Sequence, residues 1–340
     1  MISHKIDVIG VGSPIYDLIV NVSEDDIRRA GGDKGGMILV NDEEMAALQS
    51  FLPHATAYTP GGSAANTAFA MAHLGMTSSF LGKLGLDERG KEYAARLAQL
   101  QGDTSRFKYD APHPTACCVS MVTPDSQRTM RTHLGAAQYL HPEEIITSDF
   151  AGCRLAHIEG YLLFNEDLLL AVLHAAKSAG CIVSLDLGAY EIVNAKRDLL
   201  HKILPEYVDV IFANEDEATA FCGSNNPIVC LTALAELCDT AVVKIGAQGA
   251  WVQVRGERLH IPANLVPDVK DTTGAGDLWA AGFLFGQLQG CTVATCGALG
   301  SLLAGHVIQH FGAALSDHLW EEVRSTANAI AAEGVYNVNV

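Results

Sequence analysis

Leu155-Ala156-His157-Ile158-Glu159 and Cys181-Ile182-Val183-Ser184-Leu185-Asp186, with a helical stretch over 165–179 between them, decide the fold. Two short apolar runs joined by a crossover helix make the repeating unit of a parallel sheet. The unit recurs downstream. A run over 208–213 precedes a helix starting near Glu215, a second helix covers 227–238, and 241–245 follows as a strand. Residues 250–261, split by Arg255-Gly256-Glu257, read as an antiparallel hairpin at the sheet edge. The last third is helical over 274–289, 292–310 and 317–331.

The first third reads differently. Short strands over 15–22, 36–40, 115–122 and 129–133 are separated by polar loops, and Pro124-Asp125-Ser126-Gln127-Arg128 is a turn between the last two. These strands leave and re-enter the α/β pattern. They are expected to form a small sheet placed as a lid over the site, within one domain spanning 1–340.

Composition narrows the function. The 340 residues are 49% apolar and 18% charged, as in an ordinary soluble protein. A net charge of −17 disfavours nucleic acid and anionic membranes as partners. The nine cysteines include no Cys-x-x-Cys pair and read as small buried hydrophobes in a reducing compartment. Met1 to Lys5 lead straight into a short apolar strand without a signal-like core, so a cytoplasmic protein is the default expectation.

Asp271-Thr272-Thr273-Gly274-Ala275-Gly276-Asp277 carries the chemistry. Gly274, Ala275 and Gly276 let a ligand approach the amides that open a helix, where free N–H groups and the dipole favour an anion. Asp277 then places a carboxylate beside that anion. A phosphate-binding loop gains nothing from it, but a phosphoryl-transfer site needs a proton acceptor there. Pro60-Gly61-Gly62-Ser63-Ala64-Ala65-Asn66 opens a second, apolar helix with Ser63 as its N-cap, and Asn66 in the first turn wants a polar partner. The Asp17 carboxylate suits a vicinal diol or caps a nearby turn. Asn214-Glu215-Asp216-Glu217 ends a parallel strand where such sheets place ligands, and its oxygens suit hydrated magnesium or a plain acidic helix start. Lys244, Gly246 and Gly249 form either a nucleotide ledge or a simple turn.

Two other glycine patterns fail as nucleotide motifs. Gly10-x-Gly12-x-x-Ile15 lacks the third glycine of a dinucleotide fingerprint and runs into a strand. Residues 85–92 have Glu92 where a phosphate loop needs Ser or Thr, so they read as a capped helix start.

Residues 271–284 and 61–75 resemble the two signatures of the ribokinase-type (PfkB) carbohydrate kinases, with Asn214-x-x-Glu217 as a third shared motif. The resemblance implies a mainly parallel α/β sheet flanked by helices, a small β lid, and ATP with Mg2+. It implies transfer of the γ-phosphoryl group to a primary hydroxyl of a sugar or sugar-like substrate. By the same resemblance Asp277 is the base, and the 274–276 backbone is the anion hole. Asp17, Gly61, Gly62 and Asn66 contact the sugar; Asn214 and Glu217 organise the metal largely through water. Lys244, Gly246 and Gly249 fall in the nucleotide loop, with Ser301 and Ala304 near adenine. Residues 12–17 and 124–130 look closest to the adenosine-kinase-like branch, from which Ser13 departs. In that branch Tyr161 could stack on a base, and Arg131 on the lid hairpin is a candidate for neutralising phosphate or closing over substrate. A nucleoside kinase and a non-catalytic nucleotide or sugar sensor are the competing readings. Lid strands could pair across a homodimer or cover a monomer's own site.

Overall fold

The computed structural model describes residues 5–334 except Thr56 and Ser126, and of Ala57 the backbone alone. Ser126 of the expected hairpin turn lies outside the described residues. An eight-stranded sheet runs Glu257–Ile261, Ala250–Val254, Thr240–Lys244, Val210–Asn214, Ile182–Asp186, Cys153–Glu159, Ile6–Val11, Ser78–Leu81. Every neighbouring pair from Thr240–Lys244 to Ser78–Leu81 is parallel, and the hairpin adds the antiparallel edge.

Helices cover both faces because successive side chains of a parallel strand point to opposite sides and both must be buried. On one face Ile9, Val183, Ile211 and Val243 pack under the helices Glu166–Ser178, Tyr190–Tyr207, Glu215–Cys222 and Pro227–Ala235. On the other, Val8, Leu155, Phe212 and Val242 meet helices Ala275–Leu288, Val293–Val307 and Asp317–Glu333. The first of these is buried on nearly all sides, as its almost continuous apolar sequence requires. Register then aligns the strand ends that build the site: Glu159 lies opposite Asp186, and Asn214 opposite Lys244.

A smaller, lid-like sheet has five strands in the order Met37–Leu39, Arg128–His133, Cys117–Val122, Ile15–Asn21, Ala57–Gly61. The sequence pattern missed the last, whose Pro60 and Gly61 read as loop; Pro is tolerated there because the strand is at the edge. One face of this sheet, with Leu18, Val20, Val119 and Met121, packs against Ile27, Met45 and Leu48 of helices Glu24–Ala30 and Asp42–Phe51. The opposite face carries Asp17 beside Cys118, and Arg128 opposite Val122.

Two local expectations change. Ser63 is not the N-cap of helix Ser63–His73; Gly62, at φ 102°, caps it, which frees the Ser63 hydroxyl for the site. Seven cysteines are buried and free, but the Cys222 and Cys230 sulfurs are brought together, with Cα atoms 5.5 Å apart, where separately packed small hydrophobes were expected. Their eight-residue separation only closes because a tight turn folds one helix back on the next. Residues 85–92 do form a capped helix start: Asp87 accepts from the Gly90 amide at the head of Glu88–Gln99.

Candidate active site

The Asp277 carboxylate sits in the first turn of helix Ala275–Leu288 and is held from both sides. Asn66 Nδ2 donates to one oxygen at 2.8 Å and Ser63 Oγ to the other at 2.8 Å. The polar partner that Asn66 required is therefore this carboxylate. Thr67 Oγ1 also donates to the Asp277 backbone carbonyl, so the two helices are stitched over their first turns. Burial and the nearby Asp186 push Asp277 up to about 6, against the lowering effect of Asn66, Ser63 and Lys244. Desolvation thus outweighs the ionising pull of the helix terminus on this carboxylate.

Gly274 caps the helix at φ 74°, a conformation suited to glycine, and a Cβ there would lie 2.4 Å from the Ala313 Cβ. The amides of Gly274, Gly276 and Asp277 have no bonded acceptor among the described residues. Ala275 differs from expectation, because its amide already donates to the Thr272 carbonyl at 3.1 Å. Asp271 shapes the loop by accepting from the Thr273 amide and hydroxyl and from the Gly312 amide.

A cleft of about 830 Å³ opens beside Asp277. Tyr161, Asn214, Glu217, Lys244, Gly246, Gly249, Ser301 and Ala304 all line it, as expected from the sequence. Its wall also includes Asn264, Leu265, Val266 and Val269, which no sequence motif marked. Tyr161 is 39% exposed and packs its ring against Gly188. Ser301 Oγ donates to the Pro262 carbonyl, tying that wall to helix Val293–Val307. Gly249, at φ 98°, is demanded by packing: a Cβ would meet the Ile261 carbonyl at 2.0 Å.

Asn214 and Glu217 form a reciprocal capping box. The Asn214 amide and Nδ2 donate to the two Glu217 oxygens, and the Glu217 amide donates to Asn214 Oδ1. Burial, then the Asp186 charge, raise Glu217 above the ordinary carboxylate range, with Lys244 opposing. Asp186 itself escaped sequence reading, although it ends a parallel strand as Asn214 does. It receives Lys244 Nζ at 2.9 Å.

On the lid side, Asp17 faces the site. No donor is bonded to its carboxylate among the described residues; burial lifts it to about 7, Arg128 opposes, and Asp277 adds to the rise. Gly61 lies against it, since a Cβ there would meet Asp17 Oδ2 at 2.3 Å. Gly62 instead packs on the Ser13 carbonyl, at 2.3 Å from an added Cβ, which is a structural requirement. Arg131 goes elsewhere. Lying opposite Val119, it is on the helix-covered face and donates to the Gly31 and Met130 carbonyls. The alternation of the strand gives Arg128 the inward position: its guanidinium reaches Thr273 Oγ1 at 2.8 Å and Asp271 at 2.9 Å.

Glu159 completes the centre and was also missed. Only 2% exposed, it accepts from the Ser13 amide at 2.8 Å and the Ala64 amide at 3.4 Å. A Cβ at Gly12 would collide with its carboxyl, so Gly12 serves this contact and not a nucleotide.

Residues 38–319 match the sequence model of the pfkB family carbohydrate kinases. The chain is 32% identical to a fructokinase of Klebsiella pneumoniae over 67% of this chain and 76% of that protein. It is 28% identical to a nucleoside kinase of Methanocaldococcus jannaschii over 80% and 86%. The crystal structure of adenosine kinase from Sinorhizobium meliloti superposes with a TM-score of 0.84 at 32% identity, covering 96% of this chain and 99% of that one. The chain belongs to the pfkB family of carbohydrate kinases, and it is a phosphotransferase with an alcohol group as acceptor. Among the described residues no helix is long and apolar enough to cross a membrane.

Proposed function

We propose that the protein transfers the γ-phosphoryl group of ATP to a primary hydroxyl of a sugar or sugar-like acceptor lying between Asp17 and Asp277. The observation that carries this reading is the Asp277 carboxylate, held by Asn66 and Ser63 beside amides that lack acceptors. The acceptor oxygen attacks Pγ, its proton passes to Asp277, and the bond from Pγ to the bridging oxygen of ADP breaks. Phosphoryl transfer has a loose transition state, so positioning and charge stabilisation do most of the catalysis. The amides at 274, 276 and 277 face the charge that develops on the equatorial oxygens.

Adenine and ribose would lie along Gly246, Gly249, Ser301 and Ala304, against the Leu265 and Val269 wall. Magnesium would accompany the nucleotide and neutralise phosphate charge. The oxygen-only donors of Asn214 and Glu217 suit it, and because those groups already bind each other they would hold it through water. The free Asp17 carboxylate would take adjacent hydroxyls of the acceptor, with Gly61 allowing close approach. Closure of the smaller sheet would exclude water that otherwise hydrolyses ATP.

A nucleoside acceptor is the second reading. Tyr161 at the cleft supports it as a stacking surface, as does the likeness to the Sinorhizobium adenosine kinase. ADP release measured against ribose, fructose, ketogluconate and adenosine tests both readings. Release stimulated by one compound, with a phosphorylated product, supports transfer to it. No stimulation by any sugar or nucleoside would sink the proposal.

A further inference from the structure

We propose that Lys244 is a catalytic residue whose ammonium group, resting on Asp186, neutralises the phosphoryl group in transit at the N-terminus of helix Ala275–Leu288. This inference rests on the kinase reading above and adds a role for a side chain that the sequence placed only in the nucleotide loop.

The path of the side chain is the first argument. Lys244 ends strand Thr240–Lys244, whereas Asp186 ends Ile182–Asp186, and Val210–Asn214 lies between them. Strands are spaced about 4.8 Å apart, so the lysine stem must cross a whole neighbouring strand to reach its partner. It does so over the Phe212 ring, with Nζ 5.9 Å from the centroid. A lysine needed only for solubility would point to water.

Where the ammonium ends is the second argument. A Cβ built on Gly276 would lie 2.9 Å from Nζ, so the cation presses on the backbone of the anion hole itself. Asp186, Glu217 and Asp277 line the same cleft, and Lys244 is the cation among those lining side chains. Burial would strip its proton, but Asp186 and Glu217 overcome that and hold it above the ordinary lysine value. In the step, the acceptor-oxygen to Pγ bond forms, the bond to the ADP oxygen breaks, the acceptor proton goes to Asp277, and Lys244 supplies charge alone.

The competing role is an ion pair that merely compensates buried Asp186. A mutant cycle separates the two. Wild type, Lys244→Met, Asp186→Asn and the double variant are assayed for turnover with the best acceptor, and for ADP binding by calorimetry. Lys244→Met should lose about 10²–10³ in kcat, the usual weight of one oxyanion-stabilising group. ADP binding should change far less. The decisive comparison is Lys244→Met on the Asp186→Asn background, where Asp186 no longer needs compensation; turnover is read on its alkaline plateau, because Lys244 also lowers Glu217 and Asp277. A further large fall in kcat there supports catalysis, even if Lys244→Met alone fails to fold. Unchanged turnover on that background overturns it. Wild type inactive toward every acceptor would instead remove the kinase reading, and this inference with it.

Discussion

The two helix starts that meet at Asp277 share a glycine cap but differ in what already occupies their positive ends. Gly62 at φ 102° and Gly274 at φ 74° both turn the chain into a helix without a side-chain cap. At the first, the Ala64 amide is taken by Glu159. At the second, the Gly276 and Asp277 amides are left without acceptors. A glycine-rich start is thus not in itself an open anion site; at the first a buried carboxylate already occupies the positive end of the dipole, and at the second the engaged amide meets only the Thr272 carbonyl. The first helix aims Ser63 and Asn66 at the Asp277 carboxylate. The second, on the function proposed above, would receive the phosphate.

The comparison breaks most severely at its shared carboxylate. Asp277→Asn removes the proton acceptor while leaving donors and amides in place, so turnover should fall by about 10²–10⁴ with nucleotide binding nearly intact. Near-normal turnover in that variant would show that the two helix starts converge on something other than the base. Next is Gly274→Ala, where left-handed backbone and the Ala313 contact at 2.4 Å both oppose a methyl group. Strain of about 1–3 kcal/mol would displace the free amides, and turnover should drop about 10²-fold. A fall confined to thermal stability, with kcat retained, would mean those amides are not used.

The same contrast explains what the sequence could reveal. Parallel strands, crossover helices and the edge hairpin were legible because each carries its own periodicity and turn residues. Asp277 and Asn66 stood out because polar groups at the starts of apolar helices need a purpose, and Asn214 and Glu217 because their motif closes a parallel strand where such sheets place ligands. Glu159 and Asp186 were not, since a carboxylate closing an apolar strand looks like a solvated end until neighbouring strands bury it. Arg131 was named and Arg128 was read only as part of the turn, because nothing in so short a hairpin marks which side chain faces inward. Only the register against Cys117–Val122 shows which of them faces inward.

Asn66→Ala loosens the join between the helices without touching the phosphate side. Loss of a donor to a charged acceptor costs about 1.5–3 kcal/mol, or about 1–2 pH units for the carboxylate. Asp277 starts near 6, and removing a group that lowers it must raise it. The acid limb of kcat/KM should therefore move to higher pH, leaving turnover about tenfold lower at neutrality and recovering above pH 8. A uniform loss at all pH values would assign Asn66 to substrate contact instead.

Glu159→Gln should have the least effect on turnover and the clearest effect on stability. Burial raises Glu159 to about 7 from its ordinary 4.5, despite the Ser13 and Ala64 amides, so the folded protein holds a proton that the unfolded chain has released. Stability must then fall as pH rises from about 4.5 through about 7, because the native state binds more protons over that window. The cost is on the order of 3 kcal/mol by linkage. Asp17 and Glu217 are also raised, but they are present in both proteins and cancel in the difference. Glutamine cannot lose a proton and can still accept from the Ser13 amide. Urea unfolding at pH 5 and pH 8 should show the wild-type loss sharply reduced in the variant. An equal loss in both would mean that Glu159 is ionised throughout, held so by the two amides it caps, and that the quieter helix start is as strong an anion site as the catalytic one.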